Sequence, residues 1–115
     1  MKTNQETLSL TKAEKLALKA VVTKLKIHWP GVKVLLFGSK VKGTSDEESD
    51  LDLLIMLTCP VTEDIRRQIV HMVFDINLHY ESNISVLIIS QEEWDNSPLS
   101  LLPIHADIEE EGILL

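Results

Sequence analysis

The first long stretch of the chain alternates apolar and polar residues with the period of an α-helix. Thr11 and Glu14 have capping-box spacing, in which each side chain bonds the other residue's backbone N–H. The apolar positions that follow recur every three to four residues: Leu16, Ala20, Val21 and Leu25. Because proline disfavours helix at the residue before it, we expect a helix from Thr11 to just before Pro30, preceded by frayed residues 1–8.

Three short apolar runs predict β-strands, since they are rich in branched residues and are bounded by glycine, proline or polar residues. The runs are Val32–Phe37, Asp52–Leu57 and Ile84–Ile89. Between the last two, a helix is predicted from Thr62 to about Tyr80, with acids in its first turn. Its expected inner stripe is Ile65, Ile69, Met72, Val73 and Ile76.

The C-terminal part is less regular. Glu92–Pro98 predicts a polar connection holding Trp94, which either stacks on a nucleobase or packs the exit of the third strand against a last helix. That helix is expected to have Pro103 in its first turn and to run to about Glu110. His105 and the acids beside it indicate a solvated helix face, or else a face that docks a basic partner.

The order of predicted elements is helix, strand, strand, helix, strand, helix. This order is typical of a small α/β or α+β fold, with a mixed sheet and helices packed on one face of it. The 115 residues suffice for a single domain over residues 1–115. The apolar residues 113–115 indicate an edge strand or a subunit contact.

Composition narrows the class of protein. The net charge is −7, so we expect no direct nucleic-acid partner. A single cysteine, Cys59, allows no disulfide and no cysteine-based zinc site within one chain. The four histidines lack the spacing of a zinc-binding helix. No apolar run approaches the ~18–20 residues that span a bilayer, and the N-terminus has no signal-peptide core, so a cytoplasmic protein is expected.

Two local patterns carry candidate chemistry. Gly38 follows a buried strand, where glycine permits a sharp turn and a close ligand approach. Ser39 adds a hydroxyl donor, and Lys40 or Lys42 adds a charge suited to phosphate. An ordinary strand-ending turn is the alternative for this pattern taken alone.

The second pattern is Asp50-Leu51-Asp52, at the entrance of the second strand. Residues two apart on a strand share one face, so both carboxylates point the same way. One or two protein carboxylates, with substrate phosphates and water, typically hold Mg²⁺. Loop-end acids also commonly cap or solvate a turn, but an unpaired carboxylate at a buried strand needs a partner or a metal.

Together the two patterns resemble a known family. Gly38-Ser39, then Gly43, then Ser49-Asp50-Leu51-Asp52-Leu53, each next to an apolar strand, resembles the nucleotidyltransferase fold of the DNA polymerase beta superfamily. Within that superfamily the chain is most similar to the small stand-alone branch, the minimal nucleotidyltransferases. The resemblance extends from Val32 to about Ser90.

The resemblance implies transfer of a nucleoside monophosphate from a nucleoside triphosphate, expected to be ATP, to a protein or small-molecule acceptor. It implies two Mg²⁺ ions, with Asp50 and Asp52 as the catalytic metal ligands. The nucleotide-binding residues that it implies are Gly38, Ser39, Lys42 and Ser49.

One position departs from the family pattern. Active members carry a third acid on the next sheet strand, near Ser85 here, and serine is neither a good Mg²⁺ ligand nor a general base. Glu81 or Asp75 could substitute for it, a partner subunit could supply it, or the domain could bind nucleotide with little or no transfer.

Two functions therefore stay open. Minimal members of this family serve as antitoxins that act with a helical HEPN-type toxin, with adenylylation of that toxin as one expected activity. The resemblance therefore implies a partner protein and a homo- or hetero-oligomer. The alternative is a catalytically weak or inactive module that binds and neutralises a partner. An antibiotic-modifying transferase is disfavoured, because the chain has little room for an acceptor domain.

Overall fold

The computed structural model describes residues 10–38 and 50–115, except for the side chain of Leu99. In chain order its elements are α1 (Lys12–His28), β1 (Lys33–Phe37), β2 (Leu51–Leu57), α2 (Glu63–Tyr80), β3 (Ile84–Ser90), α3 (Gln91–Asn96), a 3-10 helix (Pro98–Leu101), α4 (Pro103–Glu111) and β4 (Ile113–Leu114).

The two long helices begin and end as their sequences predict. The Thr11 hydroxyl accepts from the Glu14 backbone N–H at 3.1 Å, and the Glu14 carboxylate accepts from the Thr11 N–H at 2.9 Å. Thr62 caps α2 by accepting from the Ile65 N–H at 3.2 Å. Glu81 ends α2 in the left-handed region, with φ of 53°. Both capping motifs therefore set where α1 and α2 begin, as expected.

The strands form one mixed sheet in the order β3-β2-β1-β4. β1 is antiparallel to both of its neighbours, whereas β2 and β3 run parallel. Strand β4 confirms the predicted edge strand at the end of the chain. The parallel pair brings the entrances of β2 and β3 to the same edge of the sheet, with Leu51 opposite Ile84.

Helices cover both faces of this sheet, which corrects the expectation of one covered face. α1 and α2 pack on the first face, where Val34, Leu53 and Ile55 point inward. On the opposite face, Leu35 and Leu54 pack with residues of α3 and α4. The central strands are apolar at almost every position because both of their sides are buried.

The polar connection predicted at Glu92–Pro98 is wrong, because residues 91–96 form helix α3. Ser90 caps α3 by accepting from the Glu93 N–H at 3.1 Å. Trp94 is 0% exposed and belongs to the core of the second face, as the packing alternative predicted.

The predicted solvated face of the last helix is also partly wrong. The His105 ring stacks on the Trp94 ring at 4.1 Å between centroids, and Trp94 Nε1 donates to Glu109 Oε1 at 2.7 Å. The polar side of α4 therefore packs on Trp94 and joins α4 to α3, rather than facing only solvent.

Candidate metal and nucleotide site

Asp50 and Asp52 lie where the sequence places them, at the entrance of β2. Strand β2 begins at Leu51, one residue earlier than expected, so Asp50 precedes the strand and Asp52 is its second residue. Across the sheet, Asp52 is opposite Phe37 on β1 and opposite Ser85 on β3. Because paired residues share a face, the acid pair lies on the sheet face that α3 and α4 cover.

The backbone of Gly38 lies directly against the carboxylate of Asp52. Its φ is +88°, a conformation that glycine adopts without strain. A Cβ atom added to Gly38 would lie 2.3 Å from Oδ2 of Asp52, far inside van der Waals contact. The end of β1 therefore brings the bare backbone of Gly38 against the Asp52 carboxylate.

Both oxygens of Asp50 accept hydrogen bonds from residues at the entrance of β3. Asn83 Nδ2 donates to Oδ1 in a short contact. The Ser85 hydroxyl donates to Oδ2 at 3.2 Å. Each carboxylate oxygen has two acceptor positions, so these bonds orient Asp50 and still leave acceptor capacity on each oxygen for a cation.

The environment of Asp52 disfavours its charge. Burial, and secondly the negative charge of Asp50, raise the pKa of the Asp52 carboxyl above its ordinary value of 3.8. A cation between the two carboxylates would reverse both effects, since it replaces lost hydration and offsets the repulsion. Two hard oxygen donors with this electrostatic need fit a divalent metal such as Mg²⁺.

Ser85 occupies the position where a third acid was expected, directly across the parallel register from Asp52. Asp75 forms an ion-pair contact with His71 at 3.5 Å on α2, and Glu81 caps the end of that helix. In the described ranges 10–38 and 50–115, no three or more His, Cys, Asp and Glu side chains are grouped to hold one metal ion. Neither predicted substitute is therefore gathered with Asp50 and Asp52.

The remaining predicted nucleotide-binding residues, Ser39, Lys42 and Ser49, lie outside the described residues, as do Lys40 and Gly43. Only Gly38 of that set is described. A cavity of about 200 Å³ opens beside it, lined by Phe37, Gly38, Ile104, Asp107, Ile108 and Glu111. This cavity lies between the end of β1 and helix α4.

Sequence reasoning missed Asn83, which precedes β3 just as Asp50 precedes β2. The parallel register pairs Leu51 with Ile84, so the residues before them, Asp50 and Asn83, start their strands side by side. The predicted strands carried no pairing direction; a parallel alignment of Leu51 with Ile84 would have indicated this contact. The signal lies in the pairing of the strands rather than in any local motif.

The chain is similar to proteins of known family and known structure. The nucleotidyltransferase domain family matches residues 18–115 of the chain. A comparison with curated protein sequences found no match. Among solved structures, a toxin–antitoxin with AMP-PNP superposes with a TM-score of 0.56 at 15% identity, over 84% of this chain and 69% of that one.

Two further structures are similar. A point mutant of the toxin–antitoxin MntA-HpeT gives a TM-score of 0.55 at 16% identity, over 85% of this chain and 70% of that one. A protein assigned as a minimal nucleotidyltransferase gives 0.58 at 22% identity, over 93% of this chain and 99% of that one. At these identities, the likeness establishes the fold. In the described part of the chain, no helix is both long and apolar enough to cross a membrane.

Proposed function

Because the chain belongs to the nucleotidyltransferase domain family, we propose that it transfers a nucleoside monophosphate from a nucleoside triphosphate, with ATP the expected donor, to an acceptor on a protein or small molecule. We further propose that the reaction needs a divalent metal and takes place in the cytoplasm, where ATP and Mg²⁺ are abundant.

The observation that carries this proposal is the meeting of Gly38 with the acid pair. The turn at Gly38 leaves no room for a side chain against Asp52. An ordinary turn at the end of a strand would not require both a glycine at that position and two carboxylates on one face of the sheet. A site that holds a triphosphate and its metal requires both, since bare backbone lets phosphate approach and carboxylates hold the cation.

The chain's own residues have separable roles in this proposal. Asp50 and Asp52 hold the metal, and Asn83 and Ser85 fix the orientation of Asp50 through its two oxygens. Gly38 presents its backbone to the triphosphate, with Ser39, Lys42 and Ser49 as further contacts. The chemistry that Mg²⁺ supplies in such sites is neutralisation of charge on the entering and leaving oxygens.

For the acceptor, we propose a partner protein, specifically a helical toxin of the HEPN type that this chain counters as an antitoxin. Two of the similar solved structures are toxin–antitoxin assemblies, and one of them contains AMP-PNP. The partner could also complete the site, because no third acid joins Asp50 and Asp52 among the described residues.

A second candidate function is a catalytically weak module that binds and neutralises its partner. One observation favours it: Ser85 stands opposite Asp52 and its hydroxyl is bonded to Asp50. A neutral hydroxyl in that place cannot take a proton from an acceptor at pH 7 as a carboxylate can. In this case nucleotide binding persists and transfer is slow or absent.

Calorimetric titration with ATP, with and without Mg²⁺, tests the site. We expect Mg²⁺-dependent binding that Asp50→Asn/Asp52→Asn abolishes. The matched control Asp75→Asn/Glu110→Gln removes the same charge from exposed acids on α2 and α4, and should bind as the wild type does. No binding by the wild type, or equal loss in both double variants, would overturn the proposed site.

A transfer assay then separates the two functions. ATP labelled at its α-phosphate is incubated with the chain and the candidate toxin. Label on the toxin, lost in Asp50→Asn/Asp52→Asn, supports the transferase. Binding without label, together with inhibition of the toxin by the unmodified complex, supports the module.

A further inference from the structure

Helix α2 carries an apolar stripe on the side that faces away from the sheet. Val70, Phe74 and Leu78 are 49%, 58% and 65% exposed. They follow one another at intervals of four residues, so they form one continuous ridge on the helix surface. Large apolar side chains exposed in a row, rather than singly, indicate a contact surface.

Two opposite charges bound this ridge at equal distances. Arg67 lies three residues before Val70, and Glu81 lies three residues after Leu78. Both residues are exposed, and neither side chain forms an ion pair with the residues that the structure describes. We call Arg67, Val70, Phe74, Leu78 and Glu81 the Phe74 stripe.

The spacing of the Phe74 stripe is symmetric about its centre. At 100° per residue, Arg67, Val70 and Leu78 all lie within about 40° of Phe74 around the helix. Reversing the helix about Phe74 exchanges Val70 with Leu78 and Arg67 with Glu81. The apolar pattern thus maps onto itself, while each charge maps onto its opposite.

That symmetry selects a second copy of this chain as the occupant. We propose that the Phe74 stripe is a homodimer interface, in which two α2 helices pack antiparallel across a two-fold axis. A two-fold interface brings the same patch of both copies together, so Phe74 meets Phe74, and Val70 meets Leu78. Arg67 then lies against Glu81 of the other copy, near the negative end of that helix.

The geometry of helix packing permits this arrangement. Phe74 is seven residues from either charge, so the charges lie ~10 Å from the crossing point. At a crossing angle of about 20°, the two helix axes are offset sideways by only ~4 Å at those points, which adds less than ~1 Å to a closest separation of ~9 Å. An extended arginine side chain bridges such a gap to a glutamate.

The size of the interface predicts a weak dimer. The stripe is ~21 Å long and one helix wide, so it buries well under the ~800 Å² per partner of a stable complex. The net charge of −7 on each chain also opposes self-association. We therefore expect dimers that form at tens to hundreds of micromolar and dissociate on dilution.

Sedimentation equilibrium over a range of concentrations tests the proposal. We expect Phe74→Glu to keep the chain monomeric, since it places two carboxylates at the two-fold axis. The matched control is Ile27→Glu, which changes an exposed apolar residue of α1 that is 69% exposed. This control should dimerise as the wild type does. Wild-type protein that stays monomeric to 1 mM would overturn the proposal and leave the stripe to another protein.

Charge reversal tests the antiparallel pairing. Arg67→Glu alone and Glu81→Arg alone each make both inter-copy pairs repulsive, and should weaken dimerisation about tenfold. The combined variant Arg67→Glu/Glu81→Arg restores the pairs and should recover most of the wild-type association. If the combined variant loses as much dimerisation free energy as the two single variants lose together, this pairing is contradicted.

A cross-linking experiment tests the symmetry directly. In a Cys59→Ala background, Phe74→Cys should form an inter-copy disulfide under mild oxidation, because residue 74 meets its own counterpart at the axis. Ile27→Cys in the same background should not. Equal cross-linking of the two variants would refute the central position of Phe74.

Discussion

Replacing Gly38 with alanine tests how closely the turn and the acid pair are fitted to each other. The substitution has two separate costs. An L-residue at φ of +88° is strained by about 1–2 kcal/mol. The new Cβ would also lie 2.3 Å from Asp52 Oδ2 and 3.2 Å from its Cγ, so the carboxylate must leave its position.

Gly31 separates these costs, because it has the same backbone conformation without the collision. Its φ is +91°, but a Cβ added there would lie 3.4 Å from Cγ2 of Thr58, an ordinary contact. Gly31→Ala should therefore cost only the backbone strain, about 1–2 kcal/mol. Gly38→Ala should destabilise the protein by ~0.5–1.5 kcal/mol more, because the Asp52 side chain must leave its rotamer.

A double-mutant cycle isolates the collision. Asp52→Ala removes Oδ2 and Cγ and leaves only the Asp52 Cβ, 3.4 Å from the added atom. In that background, the cost of Gly38→Ala should fall to that of Gly31→Ala. Free energies of unfolding from chemical denaturation provide all four corners of the cycle.

Binding gives an independent measure of the same fit. Gly38→Ala should abolish Mg²⁺-dependent ATP binding in calorimetry, whereas Gly31→Ala should leave it intact. Equal destabilisation by the two alanines, with no coupling to Asp52, would refute the reasoning. So would a Gly38→Ala variant that binds nucleotide like the wild type.

Three further predictions concern charge and packing. Because burial and Asp50 raise the pKa of Asp52 above 3.8, its ionisation costs stability at neutral pH, a cost that disappears as pH falls through the raised pKa towards 3.8. Asp52→Asn should therefore raise the free energy of unfolding of the metal-free protein at pH 7 but not near pH 3, measured by chemical denaturation at both pH values. An unchanged free energy of unfolding at pH 7 would contradict the desolvation of Asp52. Ser85→Asp should tighten Mg²⁺ binding about tenfold relative to its neutral control Ser85→Asn, because it adds a third carboxylate opposite Asp52. Equal Mg²⁺ affinities of the two variants in calorimetry would contradict a metal site at this position. Trp94→Ala should lower the free energy of unfolding by about 3–5 kcal/mol, because it removes the largest side chain from the core of the second face. A smaller loss than that of Trp29→Ala, which changes a part-buried tryptophan, would show that α3 is not part of the core.

The long elements could be predicted from sequence because their signals are local. Capping residues set the starts of α1 and α2, and glycine, proline or polar residues bound the strands. The six-residue α3 was missed although Ser90 and Glu93 have capping-box spacing, since six residues are too few for a helical period to show and its acids suggested a loop. The second covered face was missed although β2 is apolar at every position except Asp52, a pattern typical of a strand packed on both sides.

The acid pair could be predicted because a spacing of two places both carboxylates on one strand face. Gly38 could be placed beside a strand, but its collision distance to Asp52 depends on strand pairing across the sheet. The same holds for Asn83, which reaches Asp50 only because β2 and β3 are parallel and in register. Contacts that depend on register are the part of the site that a single sequence leaves open.

Manganese broadening of backbone amide signals tests the central claim most directly. Mn²⁺ takes the place of Mg²⁺ at oxygen sites, and its unpaired electrons broaden the NMR signals of nearby amides. In the presence of ATP, substoichiometric Mn²⁺ should first broaden the signals of Leu51 and Asp52 on β2 and of Ile84 and Ser85 on β3. Asp50→Asn/Asp52→Asn should abolish that broadening. Broadening centred instead on the acids of α4, or unchanged in the double variant, would contradict a metal and nucleotide site at the entrance of β2.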